Sequence, residues 1–126
     1  MMADRAQRDG VDGFIADLAD LGVDADVRGP VVHYSLKAVE GPLAGSLVAT
    51  AVGADELVSW PATAPHWIHL PPDVTFANTY TQPQPTLPGW VCHSRNIGTW
   101  DSVGHPGQKW LAHVRAVLGQ VSQVAA

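Results

Sequence analysis

An α+β domain is the fold class this sequence predicts, and three observations predict it. Apolar side chains recur at helical spacing over residues 12–21, alternate at strand spacing over residues 23–52, and return to a helical stripe after Pro106. In the first segment Phe14, Leu18 and Leu21 share a face, with Asp17 and Asp20 on the other. The reading places Asp12 at the N-cap and Gly22 at the left-handed exit. Val23, Ala25 and Val27 alternate with Asp24, Asp26 and Arg28 as a short strand. After Pro30, Val32, Tyr34 and Leu36 point one way and His33, Ser35 and Lys37 the other. Glu40-Gly41-Pro42 then turns the chain into an apolar strand at residues 46–52, with a further strand expected at 56–60. Connections this short make neighbouring strands antiparallel, a four-stranded meander after a helix.

Seven prolines then fall between residues 61 and 88, which argues against a long helix or a central strand there. Trp60, Trp67, Ile68, Leu70, Phe76 and Trp90 interrupt them, so the expectation is an ordered, irregular loop pinned to the core. The closing helix begins at Pro106, a residue suited to the first turn. Trp110, Val114, Val117, Leu118 and Val121 form its stripe. One domain over residues 12–121 results, with residues 1–11 as a flexible lead-in and 122–126 as a frayed tail.

Composition narrows the function. The chain has 126 residues, 46% hydrophobic and 15% charged, with a net charge of −5. Its seven Lys and Arg form no cluster, which argues against reading a nucleic-acid backbone. No apolar run approaches the ~20 residues of a membrane helix. The polar, acidic opening MMADRAQRDG is unlike a secretory leader, so a cytoplasmic location is expected. A single cysteine excludes an internal disulfide and a multi-thiolate zinc site. The six histidines fall in no HExxH or CxxC pattern, and neither a metal nor another cofactor is expected.

Cys92 is the one strong nucleophile. It follows a Pro-Gly turn in LPGWVC and precedes His93, Ser94 and Arg95, where a positive charge or imidazole would favour the thiolate. Around it, Gln82-Pro83-Gln84 places Gln84 eight residues before Cys92, Gly89 lies three before, and Trp100 eight after. Trp60-Pro61 to Pro65 precedes this set and the Trp110 helix follows it. In that register the chain resembles the ubiquitin-conjugating (UBC-like) family, whose His-Pro-Asn triplet, Gly, catalytic Cys and Trp hold these spacings. Trp90, Ser94-Arg95, Trp100 and Trp110 are similar to the tryptophan-rich end of its prokaryotic conjugating-like branch, family E. The sequence departs from the pattern in carrying Gln at both the His and the Asn of the triplet.

The resemblance implies a UBC-like fold and a prokaryotic transferase. It would accept a ubiquitin-like modifier as a thioester on Cys92 and pass it to an amine. Gln84 would supply the oxyanion amide and Asp101 would orient or deprotonate the incoming lysine. Trp100, Arg95 and His93 would form the binding surface. The implied partners are a ubiquitin-like protein, an activating-like enzyme and a JAB-type peptidase. Catalysis requires the Cys92 sulfur to be at least partly exposed beside the 82–90 loop. The alternative is a catalytically inert UBC-like module that docks a ubiquitin-like protein or its activating enzyme; a metal-dependent hydrolase is a minor third reading.

Overall fold

Side-chain alternation along one strand sets the frame of the molecule. In the computed structural model, Val32, Tyr34 and Leu36 are buried while Ser35 and Lys37 face solvent, as a strand covered on one side requires. The structure describes residues 9–39, 41, 43–71, 74–76, 80–83, 89–94, 97–98, 100, 104–119 and 121–124. Its elements in chain order are α1 (Gly10–Ala19), β1 (Ala25–Arg28), β2 (Val31–Lys37), β3 (Leu47–Gly53), a 3-10 turn (Ala54–Leu57), β4 (Ile68–Leu70), β5 (Val74–Phe76), β6 (Tyr80–Pro83), β7 (Val91–Ser94), α2 (Pro106–Leu118) and β8 (Val121–Val124). Six strands form one antiparallel sheet in the order β1-β2-β3-β4-β7-β6, and β5 pairs with β8 in a separate two-stranded sheet.

The architecture is α+β with an antiparallel sheet, and several expected elements are displaced. The first helix starts at Gly10 rather than residue 12. Asp12 therefore sits in its first turn, where a carboxylate complements the helix dipole, and is not the N-cap. Gly22, at φ +78°, makes the left-handed exit. The strand expected at 56–60 is absent. Glu56 instead folds its carboxylate back onto the Gly53 N–H at 2.9 Å, which closes the chain into the 3-10 turn and buries Leu57.

The four-stranded meander is thus a larger sheet, and the added strands come from the proline-rich stretch. There the prolines punctuate strands instead of forbidding them. Pro71 follows β4 directly, and Pro83 closes β6, an edge strand that tolerates a missing donor. The tail expected to fray forms β8 against β5.

The core lies between one face of the sheet and both helices. Phe14 and Leu18 of α1 and Trp110, Leu111, Val114, Val117 and Leu118 of α2 pack over Val32, Tyr34, Leu36, Val48, Val52, Ile68 and Leu70. Each such fully buried side chain contributes roughly 1.5–3 kcal/mol of transfer free energy. Two polar pairs inside are matched. Trp60 Nε1 donates to the buried Asp17 carboxylate at 2.9 Å, and Trp110 Nε1 donates to Tyr34 Oη at 3.0 Å. Burial nevertheless holds the Tyr34 phenol well above its ordinary range.

The helices approach closely where Gly107 faces α1. A Cβ at Gly107 would lie 3.0 Å from the Asp17 carbonyl oxygen, a backbone atom that yields only if the helix moves. Gly107→Ala should therefore lower stability by about 1–2 kcal/mol in a thermal melt, since forced overpacking outweighs alanine's better propensity in the first turn. Asp17→Ala should cost ~1–3 kcal/mol, because it strands the buried Trp60 N–H. An unchanged melting temperature in either variant would contradict this packing.

Candidate functional site

Strand register brings together residues that the sequence keeps far apart. Asp26 pairs with His33, His33 with Ala51, Ala51 with His69, His69 with Cys92, and Cys92 with Gln82, one row across all six strands. Directly paired residues on antiparallel strands share a face with Cβ atoms about 4.5–5.5 Å apart, so Cys92 and His69 stand side by side on one face of the sheet, with no hydrogen bond from the thiol to His69 Nδ1. Both are fully buried.

The 3-10 turn supplies a third member. Glu56 Oε2 lies 2.8 Å from His69 Nε2, and Oε1 accepts the Trp67 N–H at 3.3 Å. Oε2 also accepts the Gly53 N–H, so the carboxylate acts as acceptor and His69 Nε2 carries the proton. Nδ1 is buried and without a hydrogen-bond partner among the described residues. Carboxylate, imidazole and thiol in this order are the parts that activate a cysteine nucleophile.

The expected site residues fare differently. Cys92 is not on an exposed loop. It lies mid-strand in β7 with β4 on one side and β6 on the other, and its exposure is 0%. His93 pairs with Ile68 across the β4–β7 ladder, one residue out of step with the Cys92 row. Burial, with a smaller effect from His69, lowers its pKa from 6.5 to about 4, so it is neutral at pH 7 and supplies no positive charge to a thiolate. The imidazole beside the sulfur is His69 instead. Trp100 is half-buried; its Nε1 donates to the Pro61 carbonyl at 2.8 Å and its ring tilts against Trp60 at 5.6 Å. Gln84, Arg95 and Asp101 lie outside the described residues.

One group of metal-capable side chains is present among the described residues, Asp17, Asp20 and His105. Its donors are already committed. Asp17 accepts from Trp60, and His105 Nδ1 accepts the Gln108 N–H at 3.4 Å, which leaves Nε2 to donate to Asp20 at 3.1 Å. The cluster is a strut between α1 and the start of α2.

Sequence reasoning missed Glu56 and the pairing of His69 with Cys92. The Gly53-x-x-Glu56 spacing is a readable turn signal. Nothing local points from that turn to His69, or from His69 to Cys92. No family model, curated protein or solved structure matches the chain.

The buried His93 makes stability depend on pH. An unfolded chain protonates it near 6.5 and the folded chain only near 4, so between these values the unfolded state binds more protons. Its contribution is whole above pH 6.5 and declines as pH falls to 4. The His93 ring resonances should titrate near pH 4 by NMR, and the melting temperature should drop on acidification through this window. A midpoint near 6.5 would contradict the burial.

Proposed function

We propose that the chain is a catalytically inert UBC-like binding module that docks a ubiquitin-like protein or its activating enzyme. The observation that carries this reading is the enclosure of Cys92. Forming a thioester requires sulfur to reach a carbonyl carbon on another macromolecule, and Cys92 has 0% exposure in a strand paired on both sides. The helix, antiparallel sheet and closing helix are compatible with the family, and the spacing of Gly89, Cys92 and Trp100 supports it.

A docking surface fits the face of β1–β3 opposite the core. There His33, Ser35, Leu47, Ala49 and Trp90 line a groove of about 490 Å³. Trp90 stands edge-on to His33 with ring centroids 5.5 Å apart, and Leu47 is 72% exposed. A wide aromatic and an exposed aliphatic side chain in one groove, together with Asp26 and Arg28 in its lining, have the make-up of an interface centre and rim.

The second reading, a conjugating enzyme, has one observation in its favour: the His69–Glu56 pair beside Cys92. In that reading His69 takes the thiol proton and Cys92 accepts the modifier. Gln84 stabilises the oxyanion, and Asp101 orients the attacking lysine.

Mixing the protein with a ubiquitin-like modifier, its activating enzyme and ATP separates the two. The module reading expects stable binding, no reductant-sensitive adduct, and negligible thiol labelling of native Cys92 over hours against complete labelling of unfolded chain. Leu47→Glu should weaken binding at least tenfold, about 1.4 kcal/mol. An adduct on Cys92, abolished by Cys92→Ala, would replace this reading with the enzyme.

A further inference from the structure

Beyond the buried pair His93 and Cys92, β7 ends on a residue that reaches a cavity. Ser94 is half-buried, and its Oγ lies 3.3 Å from Nε2 of the exposed His66, the residue just after Pro65. Both line a cleft of about 720 Å³, within the ~300–1,000 Å³ of small-molecule sites. Ala62, Ala64, Ile97 and Trp100 give it apolar walls, and Thr63 and His113 add a hydroxyl and an imidazole to its described lining. Among the described residues these apolar walls with a hydroxyl and imidazoles at the edge suit a ligand with an apolar tail.

The parts are held in place. Trp100 is tied to the Pro61 carbonyl at 2.8 Å, and His66 rests edge-on against Trp67 with ring centroids 4.6 Å apart. A hydroxyl and an imidazole nitrogen within reach of each other, at the edge of an apolar cleft, are the minimal pair for acyl transfer. Such bonds commonly tighten only when substrate is bound.

We propose that this cleft hydrolyses esters with a short apolar acyl chain, with Ser94 as nucleophile and His66 as general base. The Ser94 Oγ–H proton passes to His66 Nε2 as Oγ bonds the ester carbonyl carbon. The carbonyl–alkoxy bond then breaks, and the leaving oxygen takes the proton from His66 to depart as the alcohol. Water next adds to the acyl-Ser94 carbonyl and gives a proton to His66. The acyl–Oγ bond breaks, Oγ recovers that proton, and the carboxylic acid leaves. This site is independent of Cys92 and of modifier docking.

The full-length protein should be treated with an alkyl fluorophosphonate and, separately, with p-nitrophenyl butyrate. The expected result is one phosphonyl adduct per chain, mapped by peptide mass to Ser94, and a p-nitrophenol burst of about one equivalent. Ser94→Ala should lose both, while His66→Gln should slow labelling by roughly 10²–10⁴, the usual worth of a positioned base. Peptide mapping of the unaltered protein reads the site even where a variant fails to fold. No adduct, an adduct at another residue, or butyrate hydrolysis that persists in folded Ser94→Ala would overturn the assignment.

Discussion

The hydrogen bond from Trp60 to the buried Asp17 carboxylate is the constraint on which the rest of the structure hangs. It joins α1 to the start of the proline-rich stretch from inside the core. Around it Phe14 meets the Trp60 ring edge-on at 5.0 Å, Trp100 packs at 5.6 Å, and the Gly10 N–H bonds the Trp60 carbonyl at 3.0 Å. The Asp17 carbonyl is also the atom against which Gly107 of α2 sits. The Trp60–Asp17 pair thus sets the start of α1, the helix crossing and the anchorage of the following loop. Removing a partner from such a buried polar pair costs more than the bond itself contributes, because the group left behind cannot return to water.

From this anchor the chain runs to both candidate chemistries. Residues 61–66 leave Trp60 along the cleft that holds His66, and β4 then carries His69 into the row with Cys92. β7 serves the two sites in turn, offering Cys92 to the enclosed row and Ser94 to the open cleft. Nucleophile strength and access are therefore separated along one strand. The stronger nucleophile is shut in, and the weaker one has room for a ligand.

Much of the scaffold was legible in the sequence because it obeys a single period. The alternation at residues 31–37 and the Pro106 start of α2 are local signals, and the structure follows them. The strand expected at 56–60 failed because one side chain, Glu56, satisfies the Gly53 N–H and turns the chain away. β4, β5 and β6 were hidden by prolines that mark strand ends, a distinction set by which strands pair and not by composition. The site was the least legible part. A Pro-Gly turn followed by Cys92 reads as a loop, but residues 91–93 are claimed on both sides by β4 and β6, and Ser94 by β6, partners set by tertiary pairing. His69 comes beside Cys92 through register alone, and Glu56 joins them through its bond to His69.

The sheet order carries a consequence for how the molecule is assembled. β1, β2 and β3 follow one another in sequence as they do in the sheet, and β6 pairs with β7 as the next strand of its ladder. Each set closes a short loop, which is fast. The β4–β7 ladder joins strands with two others between them in the chain, and its longer closure is the slower event. His69 and Cys92 lie on that seam. Before it closes, a newly made chain presents two open strand edges with the thiol on one and the imidazole on the other, available to a chaperone or a second chain. Once it closes, both lie buried at 0% exposure, so the ladder that forms late is also the one that encloses the thiol and the imidazole.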